Sequence, residues 1–387
     1  MPGPAPTLAS FAVVGHRGLR MLLGSVDRSR DNNLNLIRLA AALMVLVSHS
    51  YVLAPGGPRA EPWHALGITP GAIAVDVFFF CSGLLVMSSW WHVPSLRAFA
   101  LARAARVLPG LWAMVALSVP VLYLFSKADA AGYFGAPETW IYVLKNSTLF
   151  GGTTGLLPRV FEDNPFAGAV NGSLWTLPHE VRCYALLAAV GVVARLAGHR
   201  QRQAVTLAWA LLALGAAALL VRAALQGADD PRSRLLLMFS LGALAYQGRD
   251  RLRLRAGAAF ACVAVLAAGT LLQSRLYTAV YPLPLAYLVL ALAYLPGGAL
   301  RQFNRLGDYS YGVYIYAFPV QQAVTALQPQ IGLGTHIAVS TLFTLVLAVL
   351  SWHAVEKPAL AAARRWRSRR RAGTGTPSSP MAGTAAG

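Results

Sequence analysis

Apolar residues in this chain come in long runs, and the charged positions gather in the short stretches between them. An α-helix needs about 17–25 predominantly apolar residues to cross the hydrocarbon core of a bilayer, because each residue advances it by about 1.5 Å. On that measure the pattern predicts ten spans, at about 36–54, 69–90, 107–125, 174–194, 204–225, 233–247, 256–273, 276–295, 306–327 and 334–354. The 233–247 run is short, and it is kept because dropping it would break the sorting of charge described below. The fold class that follows is an all-α polytopic membrane protein, a bundle of about ten transmembrane helices. Its longest connection, roughly 126–173, carries Trp140, Tyr142, several Gly and Pro and an acidic pair at Glu162–Asp163. A loop of that length in a compact protein is more often functional or mobile than idle.

The first run, Asn35–Ser50 (NLIRLAAALMVLVSHS), is interrupted by Arg38 and His49, eleven positions apart. Eleven steps of about 100° bring the two side chains within about 20° of each other around the helix and roughly 16 Å apart along it. A cation near one side of the bilayer and an imidazole in the opposite half thus share a face. Ionisable groups inside a membrane are functional candidates because lipid solvates them poorly. The plainer reading is that Arg38 snorkels to the headgroups and His49 packs between helices.

Composition agrees with the pattern: the 387 residues are 56% hydrophobic and 12% charged, about half the charged share of ordinary soluble proteins. The formal charge of +19 invites a nucleic-acid partner, but its distribution argues for topology instead. With the amino terminus inside, the inner segments hold Arg17–Arg30, Arg97–Arg106, Arg195–Arg202, Arg249–Arg255, Arg301, Arg305, Lys357 and the Arg364–Arg371 cluster. The outer segments hold only Arg59, Lys127, Lys145, Arg159, Arg222, Arg232, Arg234 and Arg275. That asymmetry places both termini in the cytoplasm. The expected organisation is a cytoplasmic tail at 1–34, a membrane domain at 35–358 with the 126–173 loop outside, and a basic then disordered tail at 359–387. Within the first tail, Phe11–Gly24 is too short to span and reads as tail or surface helix. Cys81, Cys183 and Cys262 read as small buried hydrophobes, and no metal or disulfide spacing is present.

Depth organises the remaining polar groups. His49 lies about one turn from the outer end of its span, and Asp76 and Glu180 enter theirs from outside by about two turns. A carboxylate that binds one imidazole nitrogen fixes the tautomer and leaves the other nitrogen free as a base. Either Asp76 or Glu180 suits that part; the alternative is a structural ion pair, such as Asp76 with an arginine. Arg182 is too close in sequence to Glu180 to share its face. On the inner side Arg103 and Arg106, three apart and just before the third span, share a helix face that suits a phosphate, with Arg38 completing a basic mouth. Each is equally explained as a membrane anchor. The ninth span stacks Tyr309, Tyr311, Tyr314 and Tyr316, read as packing residues with satisfied hydroxyls, and Pro319 there suggests a kink that opens a cavity.

Together these stretches resemble the integral-membrane O-acyltransferases of acyltransferase family 3. The likeness rests on Arg38 and His49 as Arg-x10-His, on Val75–Gly83 as D-x-F-F-x-x-S-G, and on Arg103–Arg106 as R-x-x-R. It rests also on Ser173–Glu180 as S-L-W-x-L-x-x-E, on Ser310–Pro319 as S-Y-x-x-Y-L-x-H-F-P, and on Glu356-Lys357-Pro358. It departs from the family at Ala317, where a histidine is frequent, and it carries no appended extracellular hydrolase-like domain. The resemblance implies transfer of an acyl group, usually acetyl, from cytoplasmic acyl-CoA to an envelope or exported glycan or glycolipid at a bacterial plasma membrane. Envelope-biosynthesis proteins are expected partners, and neither metal nor nucleic acid is expected. It implies His49 as general base with Asp76 or Glu180 behind it, Arg38, Arg103 and Arg106 on the donor's phosphates, and Trp175, Tyr311 and Tyr314 against substrate. An acyl-histidine intermediate is the less favoured course. A proton-coupled transporter would also bury histidine and carboxylates, but it predicts inverted repeats, which the chain lacks. A non-catalytic scaffold needs no such cluster at all.

Overall fold

A backbone surrounded by hydrocarbon must satisfy its own hydrogen bonds, so apolar runs of this length fold as helices. The computed structural model describes residues 20–25, 31–56, 61, 68–93, 95–272 and 276–373. Its principal helices are α1 (Leu34–Leu53), α2 (Pro70–His92), α3 (Leu96–Tyr123), α4 (Pro137–Thr148), α5 (Leu177–Val193) and α6 (Gln201–Leu225). They continue as α7 (Pro231–Gln247), α8 (Ala256–Leu272), α9 (Pro282–Tyr294), α10 (Ser310–Leu327), α11 (Leu333–Ser351) and α12 (Lys357–Gly373). Each predicted span falls on one of these helices. Among the described residues, five helical stretches are long and apolar enough to cross a membrane: Leu34–Leu53, Pro70–His92, Leu96–Tyr123, Gly172–Leu225 and Leu333–Arg369. The fourth contains both α5 and α6, which part at Gly198, whose φ of 53° no helix accommodates.

Several starts are written in the sequence. Thr69 Oγ1 accepts the Ala72 N–H at 3.1 Å, Ser95 Oγ accepts that of Ala98 at 3.3 Å, and Asp230 Oδ1 accepts that of Ser233 at 3.1 Å. Each side chain satisfies an N–H that the first turn leaves open, and proline follows two of them at the first helical position. The Ser95 cap also moves a boundary: α3 begins at Leu96, so Arg103 and Arg106 lie within the helix and not ahead of it.

The bundle is centred on α10, where every residue from Ser310 to Pro319 is buried. Its polar side chains are matched by its neighbours. Gln321 donates to the Leu46 carbonyl at 2.8 Å and to Ser50 Oγ at 2.6 Å. The imidazole of His336 on α11 lies 3.2 Å from Ser50 Oγ and 3.1 Å from Thr325 Oγ1, pinning α1, α10 and α11 together. Pro319 removes the N–H that would have bonded the Ile315 carbonyl, and Asn171 supplies the missing donor at 2.9 Å. The periphery is the reverse: α8 buries no residue, and α6 exposes Leu207, Leu211, Leu214 and Leu219. So much exposed apolar surface is what lipid covers. Cys81 and Cys183 are buried as expected, whereas Cys262 on α8 is partly exposed.

Three connections differ from the sequence reading. Arg20–Leu22 forms an antiparallel ribbon with Arg253–Arg255, where a tail or surface helix was expected; residues 11–19 of that stretch lie outside the described residues. The basic segment after the last span is helical as α12, and 374–387 lie outside the described residues. The 126–173 connection is built, not loose: it contains α4, and Asn164 Nδ2 donates to the Gln322 side chain and carbonyl at 2.8 and 2.9 Å. Leu149, Arg159 and Phe161 there hold φ of 57°, 54° and 56°, a region that costs a branched or bulky side chain about 1–3 kcal/mol and persists only where packing imposes it.

At the α2–α7 crossing the two backbones approach too closely for any side chain at two glycines. A Cβ at Gly83 would stand 2.0 Å from the Phe239 carbonyl oxygen, and one at Gly242 would stand 2.1 Å from that of Phe80. Gly83→Ala and Gly242→Ala should therefore each destabilise the protein by about 1–3 kcal/mol or more, read as a lowered melting temperature in detergent. Gly215→Ala on α6, with nothing within 4 Å, should be neutral or gain up to about 1 kcal/mol. Equal melting of all three variants would contradict the crossing.

Candidate active site

A cavity of about 570 Å³ opens at the end of the bundle where α1, α3, α10 and α12 begin. Arg38, Arg103, Arg106, Glu180, Tyr311 and Tyr314 all line it. Arg38 and Arg106 converge on one atom: their guanidiniums donate to Asp308 Oδ2 at 2.5 and 2.7 Å, while Ser310 Oγ donates to Oδ1 at 2.6 Å. Arg106 also lies 3.7 Å from Glu356 and over the Tyr311 ring at 5.5 Å. Glu356 is brought there by a π-helical turn, Trp352–Glu356, that joins α11 to α12. Arg103 takes a different direction from the same face, over the Tyr184 ring at 5.8 Å, and its buried Nε has no partner among the described residues.

The far wall of the cavity is aromatic. The Tyr314 hydroxyl lies 2.6 Å from Thr176 Oγ1 and donates to the Ser173 carbonyl at 2.8 Å, with Phe78 edge-on at 5.6 Å between centroids. One turn further along α10, Phe318 meets the His49 imidazole edge-on at 5.2 Å and Phe166 at 6.2 Å. Gly172 is required here, since a Cβ would stand 2.7 Å from the Phe318 ring. His49 is not on the cavity wall, and its buried Nδ1 has no hydrogen-bond partner among the described residues.

Neither carboxylate expected behind His49 is there. Asp76 is wholly buried against α7 and α9, accepting from Arg234 at 3.0 Å and from the Tyr281 hydroxyl. Gly71 marks the α2 face that touches α1, its N–H donating to Ser48 Oγ at 3.1 Å; five residues on, Asp76 points roughly 140° away. Glu180 instead shares the cavity wall with Arg38, Arg103 and Arg106, where it accepts from Ser82 Oγ at 2.9 Å and from the Tyr184 hydroxyl. Of the expected substrate residues, Tyr311 donates to the Val107 carbonyl at 2.7 Å, and Trp175 is exposed, with its ring 5.6 Å from His179. Sequence reasoning missed Asp308 and Glu356. The signal for Asp308 was its place two residues ahead of the Ser310–Pro319 motif in a chain with few acids; Glu356 stood in a motif already noted.

A second cavity, of about 340 Å³, lies at the opposite end of α1 and α10. It is lined by Pro55 and Gly56 just past α1, by Thr325 near the end of α10, and by Lys127, Phe161 and Asn164 of the long connection.

The Asp76–Arg234 pair generates a test. Removing one buried partner strands the other charge, which typically costs about 3–5 kcal/mol, whereas replacing both by apolar groups is often near neutral. Arg234→Met should sharply reduce folded, monodisperse protein, and Asp76→Leu with Arg234→Met should recover most of it. No recovery in the double variant would mean that the pair is not the reason for the loss.

A helical bundle with lipid-facing flanks, a basic cavity at one end and a half-buried histidine further along the same helix has the layout of a membrane-embedded enzyme. The family model described as an acyltransferase domain matches residues 31–353, and the chain belongs to this acyltransferase-3 family. It is 29% identical over 344 residues to an O-acetyl transferase of Shigella phage Sf6, covering 85% of this chain and 96% of that protein. It is 27% identical over 361 residues to nodulation protein 10 of Rhizobium leguminosarum bv. viciae, covering 85% of this chain and 93% of that protein. No solved structure matches. The protein is a membrane acyltransferase that transfers groups other than aminoacyl groups.

Proposed function

We propose that the protein moves an acetyl group from acetyl-CoA, bound at the basic cavity, to a hydroxyl of an envelope or exported glycan that arrives from the opposite end. The observation that carries this reading is the order of sites along two parallel helices. On α1 it runs from Arg38 in the first cavity to His49 and then to Pro55 at the second. On α10 it runs from Tyr311 and Tyr314 to Phe318 against His49, and then to Thr325. A histidine between two cavities suits a reaction whose two substrates come from different sides. The resemblance to a protein named O-acetyl transferase supports acetyl as the group.

In the proposed step an imidazole nitrogen of His49 takes the proton of the acceptor hydroxyl as its oxygen attacks the thioester carbonyl. The carbon–sulfur bond then breaks, the ester forms, and the proton passes from His49 to the leaving thiolate. The neutral ring suits a base, because no carboxylate among the described residues holds it as a cation. Tyr314 and Phe318 must turn aside for the thioester to reach His49.

The setting is a bacterial plasma membrane crossed ten times, with both termini cytoplasmic. Packing supports the sorting of charge: segments assigned to the inner side meet one another, as in the ribbon of Arg20–Leu22 with Arg253–Arg255 and the Asp308 bridge. In a variant with the three cysteines replaced, a membrane-impermeant maleimide applied to intact cells should label Phe150→Cys, on the exposed surface of the long connection, and spare Ser378→Cys. The reverse pattern would invert the topology.

For the chemistry, His49→Ala should lower acyl transfer by about 10²-fold or more while acetyl-CoA binding persists. His49→Gln should be equally inactive, since an amide preserves size and hydrogen bonding but takes no proton. The assay is ester formed per mole of monodisperse protein in detergent. Turnover near wild type in the Gln variant would remove His49 as the base.

A further inference from the structure

The family match ends at residue 353, yet the chain contributes cavity wall beyond it: Leu360 and Arg364 of α12 line the basic cavity, next to Trp352 of the π-helical turn. These α12 residues stand one turn apart on one face, and Arg367, three residues further, continues the same stripe. The buried Nε of Arg367 has no partner among the described residues. The helix cannot swing away freely, because it packs on α3 and follows directly from Glu356, which is paired with Arg106.

Charge makes this stripe more than an anchor. The ionisable groups on the cavity wall include four arginines, Arg38, Arg103, Arg106 and Arg364, and two carboxylates, Glu180 and Asp308. Two of the four, Arg38 and Arg106, already share the Asp308 carboxylate, and Arg106 also faces Glu356. Arg103 and Arg364 form no ion pair with a carboxylate among the described residues. The nucleotide end of coenzyme A, a diphosphate with a 3′-phosphate, carries roughly four negative charges at neutral pH. The arginines of the family motifs are thus largely engaged before any donor arrives. A further cation balances what remains, and Arg364 lines the cavity, as does the Trp352 indole, a surface on which a purine can stack.

We infer that α12, outside the matched acyltransferase domain, forms the nucleotide subsite, in which Arg364 binds a phosphate of the acyl-CoA and Arg367 supports it from the next turn. This rests on the acyl-CoA donor proposed above. The pantetheine arm then extends inward past Arg103 toward Tyr314.

The test is direct binding to the full-length protein in detergent, comparing acetyl-CoA with S-acetylpantetheine, which has the same thioester arm and no nucleotide. Arg364→Gln should weaken acetyl-CoA binding by about tenfold or more, as expected on losing a charged phosphate contact. The ratio of variant to wild-type affinity for S-acetylpantetheine should stay near one, and Arg364→Lys should recover part of the loss for acetyl-CoA. Unchanged acetyl-CoA affinity in Arg364→Gln, or an equal loss for both ligands, would overturn the subsite. A wild-type protein that does not bind acetyl-CoA more tightly than S-acetylpantetheine would overturn the donor reading itself.

Discussion

One oxygen of Asp308 accepts from Arg38 on α1 and from Arg106 on α3, so helices remote in sequence are joined through a single carboxylate at the start of α10. Two guanidiniums this close would repel each other without it, and a low-dielectric surrounding magnifies the repulsion. The bridge fixes how far α1, α3 and α10 are rotated about their axes. Those rotations decide the rest: they turn Tyr311 and Tyr314 into the cavity and set Phe318 against His49. Glu356 extends the same network to the π-helical turn, which is how α12 comes to lie over the mouth.

The pairing of buried charges also explains why the sequence reading of partnership failed. The helical membrane architecture was legible because hydrocarbon demands unbroken apolar length, a property of the chain alone. The shared face of Arg103 and Arg106 was legible for a similar reason, since helical period fixes relative direction within one element, and both line the cavity. What faces what between helices depends on the rotation of each about its own axis. Asp76 and His49 have similar depths, but α2 presents Gly71 to α1 and Asp76 to Arg234 on α7. The alternative of a structural ion pair, open from the sequence, is the arrangement that forms.

Other features were hidden for local reasons. Nothing in Arg20–Leu22 marks a strand, because its partner Arg253–Arg255 is more than two hundred residues away and the ribbon has only three residues a side. Asp308 was read only as part of the ninth span, and only the convergence of two arginines gives it a part. The 126–173 connection looked loose because its order comes from polar side chains on α10: Gln322 holds Asn164 and the Phe166 and Ala169 carbonyls, and Pro319 leaves a carbonyl for Asn171. Pro319 was read as a kink. Its more definite consequence is that vacant acceptor, which ties the long connection to the turn of α10 that bears Phe318.

The same arrangement constrains how the proposed transfer from a thioester donor can proceed. A thioester is useful only if water does not reach it first, and a channel open from one cavity to the other would admit water to the reacting carbon. Two aromatic layers close the path here: Tyr314 with Phe78, and then Phe318 with His49. The first is held by hydrogen bonds from Thr176 and to the Ser173 carbonyl, each worth only about 1 kcal/mol net. Turning Tyr314 aside is therefore a small cost that donor binding can offset. Ser173 and Thr176 lie at the end of the long connection, beside Asn171 and Gly172, and earlier residues of that connection, Phe161 and Asn164, line the second cavity. Under the proposed transfer, the aromatic layer at Tyr314 is tied through Ser173 and Thr176 to the end of the long connection, so that displacing one strains the other.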